Sequence, residues 1–370
     1  MKPQPLADFI KSNDAAFALL FDSPNIVGPR GHAPPVPRLV VDRVNICCEV
    51  TCIADLLRIV KDNPVVENVE YNINMKALHR ISEPLHKLDA MIGMDTLKEN
   101  VVDQIVYFIQ DLHKNEKNKE DKGAFNDYMH TVIYGPPGTG KTEVAQLIGA
   151  IFSRMGVLRK SKFKKVTRSD LIAGYLGQTA IKTADVIKEC LGGVLFIDEA
   201  YALGNPEKRD SFSKECIDTL CEALSNHKSD LMVIVAGYEK DLNDCFFSAN
   251  PGLNSRFTWR YKIDDYTPAQ LAKIYEKKAL DCGWELREPV RLTWFEDNMG
   301  YFKCYGRDME TLLSRAKIAH GRRIFGSSED KKRRLTHSDL EKGMAMFLTN
   351  DEVRLRKESG TGGALASMYL

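Results

Sequence analysis

Short apolar runs alternate with helical patterns between residues 130 and 265. Four of these runs have the length of buried strands: Thr131–Tyr134, Val194–Ile197, Leu231–Gly237 and Phe257–Ile263. The segment from Thr142 to Phe152 carries apolar residues at helical spacing. Continuous apolar strands separated by helices are typical of a mostly parallel sheet with helices on both faces. We therefore predict an α/β fold that binds its ligand at the carboxyl edge of the sheet.

Composition and periodicity divide the chain into five segments. Glycine and proline mark the flexible segments, and a change of period marks the boundaries between folded ones. The predicted segments are a flexible N-terminal segment over 1–38, a small α+β domain over 39–87, a large α/β domain over 88–265, a mainly helical domain over 266–350 and a disordered tail over 351–370.

A glycine-rich turn follows the first apolar run of the α/β domain and ends in Lys-Thr. Its spacing is that of a P-loop, in which backbone N–H groups converge on phosphate oxygens. Lys141 would place its charge at the β- and γ-phosphates, and Thr142 would offer its hydroxyl to Mg²⁺. The residues predicted to bind the phosphates are Pro137, Gly138, Thr139, Gly140, Lys141 and Thr142.

Two carboxylates stand directly after the second apolar run. Asp198 would hold Mg²⁺ through water, and Glu199 would polarise the water that attacks the γ-phosphate. The alternative is a strand that simply ends in solvated acids. Together with the upstream P-loop, the pair predicts an ATPase that uses ATP and Mg²⁺.

The overall composition excludes little but sets the environment. The chain has 52 basic and 51 acidic residues, so no global field favours nucleic acid. Two basic clusters, within 159–165 and 331–334, are interpreted as solvated faces, with nucleic-acid contact as the alternative. Nine cysteines without zinc spacing are expected to be reduced and mostly buried. No membrane span or signal peptide is expected, which predicts a cytoplasmic or nuclear location.

The sequence resembles AAA+ ATPases, specifically the group that contains CbbX, the red-type Rubisco activase, and stage V sporulation protein K. The resemblance extends on both sides of the P-loop and covers roughly residues 88 to 285. The sequence of Gly306–Arg323 is similar to that of family members in large DNA viruses, which would place the protein in a host cell or virion. The blocks that carry the resemblance are Leu88–Gly93, Gly174–Ala180, Gly192–Tyr201, Ala236–Tyr238 and Asn250–Arg256.

The resemblance implies further site residues and a homo-hexameric ring with a helical lid over 266–350. Ile92 and Gly93 would border the adenine, and Arg256 would be an arginine finger that reaches the γ-phosphate of the neighbouring subunit. Tyr238 is expected to belong to the nucleotide site, at a position where most AAA+ members have asparagine instead. The chain also departs from the common AAA+ pattern in the lid, where Met309 occupies the usual arginine position. Arg307 is expected to substitute for that arginine, although a plain helix-start arginine is the alternative.

Tyr175 and Leu176 follow Gly174 in a glycine-flanked loop, where the family places substrate-gripping residues of a ring pore. The alternative is a tyrosine of the core. The leading hypothesis is therefore a motor that remodels or threads protein substrates. A nucleic-acid-handling ATPase and a nucleotide-dependent scaffold are the alternatives. The near-neutral net charge argues against the nucleic-acid-handling ATPase, and the intact Glu199 and Arg256 argue against the scaffold.

Overall fold

A computed structural model describes residues 42–114, 127–175, 177–204, 210–326 and 332–358. Arg43–Leu370 form one compact unit, and of the other unit, Met1–Asp42, only Asp42 is described. The flexible segment predicted over 1–38 therefore lies outside the described residues.

A five-stranded parallel sheet forms the centre of the compact unit. In spatial order its strands are β4 (Phe163–Val166), β5 (Val194–Ile197), β6 (Met232–Gly237), β3 (Thr131–Tyr134) and β7 (Trp259–Lys262). The P-loop strand β3 therefore lies between β6 and β7. All the carboxyl ends meet at one edge of the sheet, as the apolar runs predicted. The α/β fold prediction is confirmed.

Alternate residues of the strands enter two different hydrophobic cores. On β5, Phe196 packs into one core, whereas Leu195 and Ile197 pack into the other. Both sheet faces are thus covered, which explains why the central strands β5 and β6 are apolar at every position. The helix α4 Asp95–Ile109 precedes the first strand of the sheet. The elements between the strands are α5 Lys141–Met155, α6 Arg168–Leu171, α7 Thr179–Cys190, a 3₁₀ turn Ala200–Leu203, α8 Ser211–Asn226, α9 Glu239–Asp241, a π-helix Leu242–Phe247 and α10 Gly252–Arg256.

A buried histidine ties the P-loop strand to its neighbours. The Nδ1 atom of His130 accepts a hydrogen bond from the backbone N–H of Val233 at 3.1 Å, and its Nε2 donates to the Leu224 carbonyl at 3.2 Å. These partners require the neutral ring. Burial lowers the pKa of His130 to about 4, in keeping with that form.

The region before the sheet packs into the same core as the P-loop helix. Ile53, Leu56 and Leu85 are buried there, and the helix α3 (Ser82–Asp89) lies against α5. The carboxylate of Asp55 accepts hydrogen bonds from the backbone N–H groups of Thr51 and Cys52, which fixes the start of α1. The bounds here are β1 Asp42–Val44, α1 Ile53–Asp62, β2 Val69–Tyr71, α2 Met75–Arg80 and α3 Ser82–Asp89.

The chain beyond β7 is mainly helical, as its period predicted. Its longest described helix, α13 (Tyr305–Arg323), packs against both α11 (Pro268–Asp281) and α14 (His337–Phe347). A two-stranded parallel pair, β8 and β9, is added to this region. The bounds are α11 Pro268–Asp281, β8 Glu285–Leu286, α12 Leu292–Asn298, a 3₁₀ turn Met299–Tyr301, α13 Tyr305–Arg323, β9 Arg334–Leu335, α14 His337–Phe347 and α15 Asp351–Glu358.

Two expectations are wrong in this structure. The predicted disordered tail begins with the helix α15, whose Val353 is buried in the core; residues 359–370 lie outside the described part. The cysteines, all nine of which are described and free, are not mostly buried. Cys190, Cys216 and Cys221 are buried, but four others are exposed. The apolar runs around residues 47–52 are short, and the side chains of the three cysteines there are exposed to solvent.

Candidate functional site

The P-loop links β3 to α5 and is held by its own hydrogen bonds. The Thr139 hydroxyl donates to the Pro136 carbonyl at 2.8 Å. Gly138 and Gly140 have φ of +72° and +84°, a conformation that glycine adopts without strain. The turn thereby delivers the chain into the amino end of α5, where free backbone N–H groups favour an anion.

Lys141 extends along this loop towards the carboxyl edge of the sheet. Its Nζ donates to the carbonyls of Gly135 at 2.8 Å and Pro136 at 2.7 Å. Burial lowers the pKa of Lys141 to about 8, while the charges of Asp198 and Glu199 act in the opposite direction. The ammonium therefore lies within electrostatic reach of both predicted acids.

Glu199 has a strained backbone at the end of β5. Its φ and ψ are 51° and 46°, the left-handed region that non-glycine residues rarely adopt. Such strain is concentrated at functional sites, where surrounding structure holds it in place. The turn aims the two carboxylates that follow β5 into the same cleft as the P-loop lysine.

Asp198 has a partner that the sequence analysis did not assign to the site. The Nζ of Lys165, at the carboxyl end of β4, lies 2.6 Å from its Oδ2. β4 pairs with β5, so the strand order brings the lysine beside the acid. In the sequence, Lys165 stands out only as a member of the basic cluster within 159–165. The signal available in the sequence was its position at the end of a strand.

Two tyrosines flank the acids. Tyr238 follows β6, and its ring centroid lies 6.3 Å from that of Tyr201. Burial and then the nearby Glu199 charge raise the pKa of Tyr201 to about 12. Both phenols are thus neutral hydrogen-bond donors at physiological pH. Tyr238 was predicted to belong to the site, and Tyr201 was missed.

The far end of the cleft is apolar. Ile92 lines it together with Met91, Met94 and Tyr266. Gly93 has φ of +69° and lies so close to Tyr266 that a Cβ there would approach its ring to 3.0 Å. The Tyr266 hydroxyl donates to the Thr139 carbonyl at 3.1 Å. This wall suits a flat, weakly polar group such as a nucleobase.

The helical region closes the cleft from above. The backbone N–H of Gly306 donates to the Gly138 carbonyl at 3.0 Å, so the start of α13 contacts the P-loop directly. Arg307, the next residue, lines the cleft and is close enough for its charge to lower the pKa of Lys141. Lys278 and Glu310 form an ion pair of 2.5 Å at the same wall.

The assembled cleft has a volume of about 460 Å³, within the range of small-molecule sites. Its donor set fits a magnesium nucleotide: amide groups and Lys141 for phosphates, and hard oxygens from Thr142 and Asp198 for the metal. Mg²⁺ keeps several waters and needs only one or two protein oxygens. The structure thus brings together every predicted phosphate and metal residue.

Arg256 lies apart from this cleft, at the end of α10. Its Nε donates to the Ser225 hydroxyl and its Nη1 to the Gly252 carbonyl, both at 2.7 Å. A second guanidinium, that of Arg260, joins the hydroxyl of Tyr134 at 2.7 Å to the side chain of Asn254 at 2.8 Å. The helix that carries Arg256 is thereby tied to the last residue of the P-loop strand.

Tyr175 projects from the loop before α7. Its side chain is 74% exposed, so the alternative of a core tyrosine is wrong. The base of the loop is closed by a hydrogen bond from the Ala173 N–H to the Thr179 hydroxyl at 3.2 Å. A Cβ on Gly174 would touch nothing within 4 Å. Leu176, the second predicted residue of this loop, lies outside the described residues.

Most side chains of the first basic cluster pair with neighbouring acids. Lys162 and Lys164 both pair with Glu189, and Arg159 pairs with Asp230. These pairs favour the interpretation of a solvated face. In the second cluster, Arg334 pairs with Glu285 at 3.3 Å. None of the helices within the described residues is both long and apolar enough to cross a membrane.

Comparisons with known proteins agree with this geometry. The ATPase family associated with various cellular activities (AAA) matches residues 131–264. A cfxQ-like protein of Acanthamoeba polyphaga mimivirus is 38% identical over 285 residues, covering 76% of this chain and 68% of the relative. Stage V sporulation protein K of Bacillus subtilis is 36% identical, covering 67% and 73%. Chloroplastic ribulose bisphosphate carboxylase/oxygenase activase of Cyanidioschyzon merolae is 34% identical, covering 74% and 94%.

A solved structure shares the fold. The FIGL-1 AAA domain in complex with ADP superposes with a TM-score of 0.51 and 18% identity, covering 74% of this chain and 89% of that one. At this identity the likeness concerns the fold alone.

Proposed function

The chain belongs to the AAA+ ATPase family, in the group of the CfxQ-like proteins, stage V sporulation protein K and Rubisco activase, and we propose that it uses ATP hydrolysis to thread or remodel protein substrates through a ring pore. The observation that carries this proposal is the exposed Tyr175, presented between two glycines on a loop with a closed base.

The residues of the cleft have separate roles in ATP binding and hydrolysis. Lys141 and the P-loop amides bind the phosphates. Thr142, and Asp198 through water, would hold Mg²⁺, which would neutralise charge on the phosphate oxygens. Glu199 orients and polarises the attacking water. Ile92 and Gly93 border the base. Arg307 contributes a further positive charge from the lid.

Arg256 completes the site of a neighbouring subunit. It lies outside its own cleft, and a planar guanidinium suits the charge that spreads over the γ-phosphoryl oxygens in the transition state. A ring of identical subunits, a homo-hexamer by the family pattern, places each finger at the next cleft. The link from Arg260 to Tyr134 keeps that finger in register with its own P-loop.

The pore contact follows from the position of Tyr175. In a ring, one such side chain from each subunit reaches the central channel with Leu176 beside it. An aromatic ring grips an extended polypeptide by apolar and stacking contacts that do not depend on its sequence. The flexible glycines on either side allow the loop to move with each round of hydrolysis.

The test compares ATP hydrolysis by Tyr175→Ala with and without an unfolded model protein. We expect basal hydrolysis and assembly to be unchanged and the stimulation by substrate to be lost, while Tyr175→Phe retains most of it. Ile181→Ala, which removes another exposed apolar side chain (64% exposed) nearby on α7, is the matched control. Equal stimulation of Tyr175→Ala and wild type would remove the pore assignment.

The substrate itself is best identified with a trapped form. Glu199→Gln should bind ATP without hydrolysing it and so hold its substrate without release. Proteins captured by this variant but not by the double variant with Tyr175→Ala are the candidates. Capture that is equal in both would argue against a pore contact through Tyr175.

A further inference from the structure

The helix α15 carries an arginine, Arg356, that forms an ion pair with Asp308 of the lid helix α13. The Nη1 of Arg356 lies 3.1 Å from both carboxylate oxygens of Asp308, and its Nη2 lies 3.1 Å from Glu352. The Arg356 and Asp308 side chains are only 15% and 7% exposed. Val353, on the same helix, is buried. The contact is therefore an enclosed ion pair.

Asp308 in turn fixes the turn at which α13 begins. Its Oδ2 accepts a hydrogen bond from the backbone N–H of Cys304 at 2.7 Å. The next residue, Tyr305, has φ of +39°, a conformation that a non-glycine residue rarely adopts. Burial raises the pKa of Asp308, while the hydrogen bond from the Cys304 N–H and the charge of Arg356 act in the opposite direction. The arginine therefore favours the ionised carboxylate that accepts the hydrogen bond of the turn.

The same turn lies against the P-loop with no space to spare. The Gly306 N–H donates to the Gly138 carbonyl, and a Cβ on Gly138 would come within 2.2 Å of the Cys304 carbonyl oxygen. Arg307 follows Gly306 directly and enters the cleft. Any shift of the turn therefore moves Arg307 relative to the phosphate loop.

We propose that Arg356 is a positioning residue of the nucleotide site: through Asp308 and the Cys304–Arg307 turn, it holds Arg307 in the cleft. The site is then incomplete without the C-terminal helix, 215 residues beyond the P-loop lysine in the sequence (356 − 141). This inference rests on the proposed contact of Arg307 with the nucleotide.

The experiment measures ATP affinity by calorimetry and stability by thermal melting in the full chain. Arg356→Met should weaken ATP binding by about 10-fold or more, since a hydrogen-bonded charged contact is lost. The control is Arg354→Met, on the same helix, where the arginine side chain is 63% exposed and pairs with the exposed Asp351. It should bind ATP within about 2-fold of wild type.

A double-variant cycle separates positioning from general stability. If Arg356 acts through Arg307, adding Arg356→Met to Arg307→Met should cause no further loss of affinity. Fully additive losses, or wild-type affinity in Arg356→Met, would overturn the inference. Should Arg356→Met fold poorly because Asp308 keeps an uncompensated charge, Arg356→Met with Asp308→Asn removes that charge and should still bind weakly.

The proposed ATP site and this inference fail in different ways. Arg307→Met that binds ATP like wild type overturns the positioning role of Arg356 but leaves the P-loop site standing. Lys141→Ala that binds ATP like wild type instead overturns the site itself. The two outcomes are read from the same calorimetric measurement.

Discussion

The contact between the lid and the P-loop can be tested with a single methyl group. A Cβ added at Gly306 would lie 2.7 Å from the Gly138 carbonyl oxygen, closer than real Cβ contacts come. Gly306→Ala must therefore push the start of α13 away from the P-loop. The hydrogen bond between the Gly306 N–H and that carbonyl, 3.0 Å long, would be lost with it.

The expected magnitude follows from that bond. One net hydrogen bond contributes about 0.5 to 1.5 kcal/mol, which corresponds to about 2- to 10-fold in ATP affinity if the nucleotide binds with the lid against the loop. Alanine is also a better helix former than glycine by about 1 kcal/mol. The free energy of unfolding should therefore change little while ATP binding weakens.

The assay is calorimetric titration with ATP beside urea denaturation. Gly321→Ala is the matched control, since it lies on the same helix and its Cβ would meet nothing within 4 Å. It should raise stability by about 0.5 to 1 kcal/mol and leave ATP affinity unchanged. If Gly306→Ala binds ATP as tightly as Gly321→Ala, the lid contact has no part in nucleotide binding.

Three further outcomes are expected. Lys141→Ala should lose ATP binding, whereas Glu199→Gln should keep binding and lose hydrolysis; equal ATP affinity in Lys141→Ala and wild type, measured by calorimetry, contradicts the assignment. Arg256→Ala should bind ATP but not turn it over, and mixing it with Glu199→Gln subunits should restore some activity; no recovery at any ratio removes the simplest support for a shared site. Stability should fall as the pH drops from about 6.5 to about 4, because the unfolded His130 binds a proton that the buried ring excludes. Across that pH range, protonation of His130 in the unfolded state lowers the free energy of unfolding by about 3 kcal/mol. A His130→Gln variant should flatten that part of the curve of stability against pH.

The phosphate and metal residues could be predicted because each depends on local sequence. The P-loop is contiguous, and Asp198 and Glu199 follow directly from the end of an apolar strand. Lys165 could not be assigned in the same way. It reaches Asp198 only because β4 pairs with β5, a neighbour relation that no local pattern encodes.

The C-terminal helix was missed for a related reason. The glycine-rich composition after Ser359 dominated the interpretation of the whole tail, whereas α15 is stabilised by tertiary contacts. Val353 enters the core and Arg356 pairs with Asp308, 48 residues earlier. A short helix of this kind draws most of its stability from packing, which propensity does not report.

One hydrophobic core runs from Ile53 and Leu85, before the sheet, through the P-loop helix to Leu312 in the lid and Val353 in α15. Elements that share buried side chains tend to open together, as one cooperative unit in hydrogen exchange. The residues ahead of the ATPase sheet and the helices that close over the nucleotide are then energetically coupled. A partner that grips residues 53–88 would therefore change the free energy of lid opening without touching the cleft.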